Sequence, residues 1–262
     1  MIEIRACAGF DELEACVQLE IETWGYEQSE IIPRKGFYVA QKVGGQVIGA
    51  FDTSIPAIPA GGDAHRLVGF VMALAGIKAC PGQTPMPYLH SHMLAIRPAY
   101  RNRGLGARLK REQRLEALAR GLTYMEWTFD PLEIKNAYLN LCKLGATVSE
   151  YREDFYGVSS SRLQGGLPTD RLLAEWRLDS PRVEAILEGL PPAAFAVEQR
   201  VFVPAAIYEW KASSEGRERA LAVQISNRRI FQQAFSHGLA VLGFSRDAEG
   251  NGVFELGRQP AE

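Results

Sequence analysis

The sequence predicts an α/β fold, and three observations predict it. Strand-like and helix-like runs alternate along the first two-thirds of the chain, as expected when helices cover a sheet. A strand-like run from Leu89 to Ile96 passes through a glycine loop, Arg101-x-x-Gly104-x-Gly106, into a helix-forming run from Ala107 to Arg120. The chain has 262 residues and 47% hydrophobic content, enough to bury a large core as one extended domain or two smaller ones.

Taken in order, Ile2–Ala6 reads as a strand and Phe10 to about Thr23 as a helix. Phe37–Lys42 and Gln46–Asp52 read as two strands joined at Gly44-Gly45, a hairpin signal. Pro56–Asp63 is rich in proline and glycine and reads as a loop, after which Leu67–Leu74 resumes as strand and Pro81–Pro87 breaks the chain again. The Leu89 strand, the loop and its helix follow, the helix closed by Gly121, and Leu122–Phe129 is a further strand. Asp130-Pro-Leu-Glu133 has the form of a capping box with proline at the first helical position, so Asp130 is expected as an N-cap. The helix it opens should run to Leu144 and stop at Gly145. Val148–Phe155 and Leu172–Leu178 make two strands. From Asp179 onward the pattern gives a short helix at Val183–Glu188, an extended run at Val197–Val203, a helix from about Glu215 to Ser236, and strands near Leu239–Ser245 and Val253–Leu256.

The glycine loop carries the first chemical signal. Two glycines one residue apart let backbone approach a ligand with no Cβ in the way, and a helix N-terminus favours anions. From Arg97 to Arg120 there are eight basic residues (97, 101, 103, 108, 110, 111, 114 and 120) against Glu112 and Glu116, although the whole chain carries a formal charge of −2. A polyphosphate would need only two or three of them, Arg101 and Arg103 first; the others suit a solvated helix face. A dinucleotide fingerprint is excluded because its third glycine position is Leu109, and no Gly-Lys-Ser/Thr follows to make a nucleotide phosphate loop.

Strand, Arg-x-x-Gly-x-Gly and helix, in this order, resemble the GNAT superfamily of N-acetyltransferases. The resemblance covers residues 1–178 and implies a mixed, mostly antiparallel sheet flanked by helices, with 179–262 as an α+β extension. Helix, Gly238, strand, turn, strand in that extension echoes helix, Gly145, strand, turn, strand, which leaves open a degenerate second half without its own glycine loop. Trp127-Thr-Phe-Asp-Pro-Leu132, Asn136-Ala137 and Gly166-Leu-Pro-Thr-Asp-Arg171 resemble a sparsely characterised branch of the superfamily. The resemblance implies acetyl-CoA or another acyl-CoA as co-substrate. It would be held by Leu94, Ala95 and Ile96 on the strand, by Arg101, Asn102, Arg103, Gly104, Leu105, Gly106 and Ala107 in the loop, and by Asn136 and Asn140, spaced i, i+4 on the next helix.

Acyl transfer to an amine needs a base. Alternation places His90, His92, Leu94 and Ile96 on one strand face and Ser91, Met93 and Ala95 on the other. The run resembles the paired-histidine strand of arylalkylamine N-acetyltransferases, where the imidazoles relay the amine's proton. A hydrogen-bonded structural pair or a chance metal spacing are the alternatives. The tyrosine that many GNAT enzymes place four residues before the helix-ending glycine is Leu141 here; Tyr138 could replace it as proton donor only if the helix is rotated or shifted, and otherwise belongs to the core. Glu126 is a candidate polar partner of the site, or a paired strand glutamate. Trp24 and Tyr26 could line the acceptor side, and Arg152 or Arg171 could meet the carboxylate of a succinyl donor.

Near-neutral charge argues against nucleic acid as partner, and no run approaches the ~18 apolar residues of a membrane span. The N-terminal residues lack a signal-peptide layout, and Cys7, Cys16, Cys80 and Cys142 show neither paired nor metal spacing. The expectation is a cytoplasmic, metal-free enzyme moving an acetyl or succinyl group to a small primary amine, such as an amino acid; a homodimer is left open. A coenzyme A-binding regulatory or scaffold protein is the alternative.

Overall fold

The computed structural model describes residues 1–56, 58, 62–79, 82 and 84–260, in two compact units, Met1–Glu126 and Trp127–Glu262. The first unit contains β1 (Ile2–Ala6), α1 (Gly9–Trp24), α2 (Arg34–Lys42), β2 (Gln46–Asp52), β3 (Leu67–Lys78), β4 (Met86–Ile96), α3 (Leu105–Ala119) and the start of β5 (Tyr124–Phe129). Its strands lie in the order β1-β2-β3-β4-β5. The first three pairings are antiparallel; β4 and β5 run parallel through Leu89↔Met125 and His90↔Glu126.

Period-2 burial splits this sheet into two apolar faces. Val47, Phe51, Phe70, Met72, Met93 and Ala95 pack with Leu13, Cys16 and Leu19 of α1 and Phe37 of α2. Ile48, Ala50, Val68 and Val71 pack with Leu105 and Leu109 of α3. The α3 helix ends as the sequence predicts: Gly121 takes φ +75, and Leu122 N–H donates to Ala117 O at 3.0 Å.

Residues 37–42 correct the sequence reading, because they form the second half of α2 and not a strand. Phe37 and Ala40, three apart, are the buried residues of this helix, whereas Tyr38 and Val39 are exposed. Gly44-Gly45 is accordingly a helix exit: Gly44 has φ +92, and Gly45 N–H donates to Ala40 O at 2.7 Å. A Cβ on Gly45 would lie 2.3 Å from Ala73 O, so this close backbone approach requires glycine. The predicted Pro56–Asp63 loop and Pro81–Pro87 break fall partly outside the described residues, as does Cys80. β3 runs on to Lys78, and Pro87, expected in the break, lies in β4 opposite Ile77.

In the second unit α4 (Ile134–Ala137) continues as a π-helical turn (Tyr138–Lys143), followed by β6 (Thr147–Arg152), β7 (Arg171–Arg177), α5 (Pro181–Leu187), β8 (Gln199–Val203), α6 (Ile207–Ala212), α7 (Arg217–Ser236), β9 (Ala240–Arg246) and β10 (Gly252–Gly257). The strand order β7-β6-β9-β10-β8 puts the two strands before Asp179 and the three after it in one sheet. The short α6 lies in a stretch for which the sequence pattern predicts no element.

Asp130 does not cap a helix. Its Oδ1 accepts from Leu132 N–H at 2.8 Å, an Asx turn that competes with capping, and the residue at the N-cap of α4 is Glu133. Buried Lys211 instead bridges Asp130 and Glu133 at 2.7 and 3.1 Å. The Gly166–Arg171 motif also has structural work. Asp170, fully buried, accepts two hydrogen bonds from Arg228 at 2.9 and 3.0 Å and one from Tyr151 Oη at 2.5 Å, tying the β6–β7 connection to α7.

Candidate active site

The β4 strand carries a bulge. Its register with β3 passes from Met72↔Met93 to Ala73↔Ser91, so His92 is the extra residue. This revises the expected alternation. Leu94 and Ile96 pack on the α3 side and Met93 and Ala95 on the α1/α2 side, while Ser91 hydrogen-bonds Lys110 and Gln113 of α3. Ser91 thus shares a face with Leu94 and Ile96, the opposite of strict period 2. The bulge still keeps the imidazoles of His90 and His92 together, ring centroids 6.0 Å apart.

A charged network supports His90. Glu126 Oε1 stands 4.0 Å from His90 Nδ1, and Glu126 Oε2 accepts from Lys78 Nζ at 2.5 Å. Lys78 Nζ also donates to Tyr124 Oη at 2.8 Å, and Tyr124 Oη lies 3.3 Å from Glu126 Oε2. Burial alone would raise the Glu126 carboxyl, but His90 and Lys78 together lower it to about 2. Burial likewise opposes the charge on Lys78, yet Glu126 and Tyr124 hold its ammonium above the ordinary lysine value. Burial, with His90 beside it, lowers His92 below its usual value of 6.5. Glu126 is paired with Lys78 and stands beside His90 as well, and Lys78 carries no motif that the sequence could have revealed.

The other β4 face is polar but sealed. Lys110 Nζ donates to Ser91 Oγ at 2.7 Å, Ser91 Oγ donates to Gln113 Oε1 at 2.9 Å, and Gln46 Nε2 reaches Gln113 O at 3.0 Å. Burial pushes Lys110 well below the ordinary lysine value. This corrects the count of basic residues near the glycine loop, because Lys110 points into the interior and belongs to no phosphate-binding surface.

Arg101–Gly104 is exposed and leads directly into α3. Asn102 and Gly104 both adopt left-handed backbone, φ +60 and +75, and no side chain caps the first N–H groups of α3. Arg101 Nε donates to Ile96 O at 2.8 Å, Arg103 lies 5.9 Å over the Tyr100 ring, and Tyr100 Oη donates to Asp52 at 2.7 Å. A cavity of about 280 Å³ beside the loop is lined by Met1, Asp52, Ser54, Tyr100, Arg103 and Arg108, among others. Leu94, Ala95, Ile96 and Leu105 have side chains packed in the two apolar layers, which leaves only their backbone groups for a ligand. Gly106 and Ala107 are half-buried in the first turn of α3.

In the second unit the π turn begins at Tyr138 and changes the helical phase. Asn136 and Asn140 consequently do not act as an i, i+4 pair: Asn136 is exposed, while Asn140 is buried and accepts from Trp127 Nε1 at 3.3 Å. Tyr138 is 40% exposed, with Lys143 and Arg246 over its ring at 5.4 and 5.8 Å, so it is not a core residue; Leu141 is. Trp24 and Tyr26 stack at 5.9 Å against the α1/α2 core. Arg171 is engaged by Asp170 O and Gln164, and Arg152 by Glu150.

No family model and no curated protein matches the sequence. Solved structures do match. Arabidopsis thaliana NAA60 in complex with acetyl-CoA aligns with a TM-score of 0.54 at 16% identity, over 69% of this chain and 100% of that one. The fold is that of the GNAT acetyltransferases. A second GNAT-fold protein, yncA from Salmonella typhimurium, with its cofactor acetyl-CoA, aligns with a TM-score of 0.50 at 16% identity, over 68% and 95% of the two chains. Among the described residues no helix is long and apolar enough to cross a membrane, and no group of three or more His, Cys, Asp or Glu is placed to hold a metal ion.

Proposed function

We propose that the protein is an N-acyltransferase that moves an acetyl or succinyl group from coenzyme A to the primary amine of a small molecule, such as an amino acid. The observation that carries this reading is the imidazole pair on the β4 bulge, on a strand that leads into an uncapped helix N-terminus behind a left-handed glycine. In this reading the N–H groups from Gly104 to Ala107 and the guanidinium of Arg103 meet the pyrophosphate. Arg101 braces the loop on Ile96, and the backbone of Leu94 to Ile96 meets the pantetheine arm.

An amine attacks a thioester only as the free base. His92, held neutral at pH 7 by burial and by its neighbour, takes the ammonium proton, and His90 passes it toward solvent. The nitrogen lone pair then adds to the thioester carbonyl, the nitrogen gives up its second proton along the same route to solvent, and collapse of the tetrahedral intermediate to the neutral amide expels the coenzyme A thiolate. Tyr138, the exposed phenol of its helix, stays a candidate for the proton donor to that thiolate. Asn136, also exposed, remains a candidate for the pantetheine amides, whereas the bond from Trp127 gives Asn140 a structural role.

Release of free thiol from acetyl-CoA and succinyl-CoA across a panel of amines and amino acids tests the proposal. Amine-dependent release from at least one donor is expected. Tight coenzyme A binding with no release for any amine would favour the regulatory or scaffold reading, which the buried Leu141 at the usual tyrosine position supports.

A further inference from the structure

His90 sits beside a carboxylate, and a carboxylate at that distance favours the protonated imidazole, which cannot accept a proton. The side chain that offsets it comes from β3. Lys78 Nζ lies 2.5 Å from Glu126 Oε2 and 2.8 Å from Tyr124 Oη, leaving Glu126 Oε1 toward His90 Nδ1 at 4.0 Å. Among the described residues, Tyr88 and His92 from β4 also face this cluster; Tyr88 is raised by burial and by Glu126 and stays neutral.

We propose that Lys78 is a positioning residue: held on Glu126 Oε2, it offsets the carboxylate's charge, so that the glutamate can stand beside His90 without biasing the imidazole toward its charged form. At 4.0 Å the carboxylate acts on His90 through its charge. Lys78 itself touches neither imidazole. The assignment of His90 as part of a proton relay rests on the amine-transfer reading, but the electrostatic device can be measured without turnover.

The test is an NMR titration of the histidine ring nitrogens in the full-length protein, free of ligand, for the wild type and for Lys78→Met, Lys78→Gln, Lys78→Arg and Glu126→Gln. Loss of the lysine charge should raise the His90 midpoint by about one pH unit in both Met and Gln variants, whereas Lys78→Arg should stay near the wild type. Glu126→Gln should lower the midpoint, since the carboxylate charge is removed. If the enzyme turns over, the acid limb of kcat/KM should move upward in Lys78→Met with the His90 midpoint. An unchanged or lowered His90 midpoint in the Met and Gln variants would overturn the proposal, whatever the protein's activity. Inactivity of the wild type with the shifts present would count against amine transfer and leave the Lys78 assignment standing.

Discussion

Two lysines flank the same stretch of β4 and end in opposite states. Lys78 meets a carboxylate and a phenol beside His90, and its charge is reinforced. Lys110 meets the hydroxyl of Ser91, the residue between the two histidines, and burial drives it toward the neutral amine. Both ammonium groups are at hydrogen-bond distance from oxygen, so proximity alone does not separate them. Depth of burial does, together with the carboxylate that Lys78 meets. The comparison shows a strand whose histidine side is built to keep charges near water and whose α3 side is built to insulate the bulge, which suits a site for proton transfer mounted on a rigid support.

The largest expected effect falls on the histidine side. His90→Ala with His92→Ala should reduce the rate by ~10²–10⁴-fold, with coenzyme A affinity by calorimetry little changed. If affinity fell with the rate, the pair would be structural and the contrast between the two sides would fail.

Glu20 of α1 extends the contrast to an acid. It is fully buried; Oε1 accepts from Ile32 N–H at 3.0 Å, and burial raises it from 4.5 to about 7 despite that bond. Because the folded state holds this proton more tightly than the unfolded chain, its contribution is complete below pH 4.5 and is lost as pH rises through about 7. Glu20→Gln should therefore stabilise the protein above neutrality by up to about 3 kcal/mol and flatten the decline in Tm between pH 5 and 8. A variant with the wild-type pH slope would show that water or an ion reaches this carboxylate.

At the loop, Gly104→Glu forces a side chain into φ +75 and adds a carboxylate beside the proposed phosphate position, although a Cβ there meets no atom within 4 Å. Backbone strain of ~1–2 kcal/mol and like-charge repulsion should weaken acyl-CoA binding by about ten- to a hundredfold, read by calorimetry.

The smallest effect concerns Lys110. Its folded value lies below the unfolded one, so the unfolded chain binds more protons and stability rises with pH toward the ordinary lysine range. Lys110→Met should remove that rise in Tm measured from pH 7 to 10, with little change in rate. A large loss of activity at unchanged stability would mean that the insulated side takes part in the chemistry.

Much of the scaffold was legible in the sequence. The strand, Gly104, the helix and its Gly121 exit announce themselves through local backbone requirements. Residues 37–42 misled because a short run with Tyr, Phe and Val satisfies both periods, and only packing of Phe37 and Ala40 on the sheet decides for helix. The bulge at His92 has no local signature, since it depends on register with β3, and it reversed the predicted side of Ser91. Lys78 and Lys110 were hidden for a related reason: their partners are 48 and 19 residues away, a separation that only the fold closes. The π turn at Tyr138 similarly dissolved the expected Asn136/Asn140 pair.

The most direct test of the central claim is the product itself. The wild type and the double histidine variant would be incubated with acetyl-CoA and the most reactive amine of the panel, and free thiol and N-acyl amide measured together, the amide by mass spectrometry. Equal amounts of thiol and amide are expected from the wild type, and both should slow in parallel in a variant that still binds coenzyme A. Thiol without amide, or amide formed at the same rate by the double variant, would contradict it.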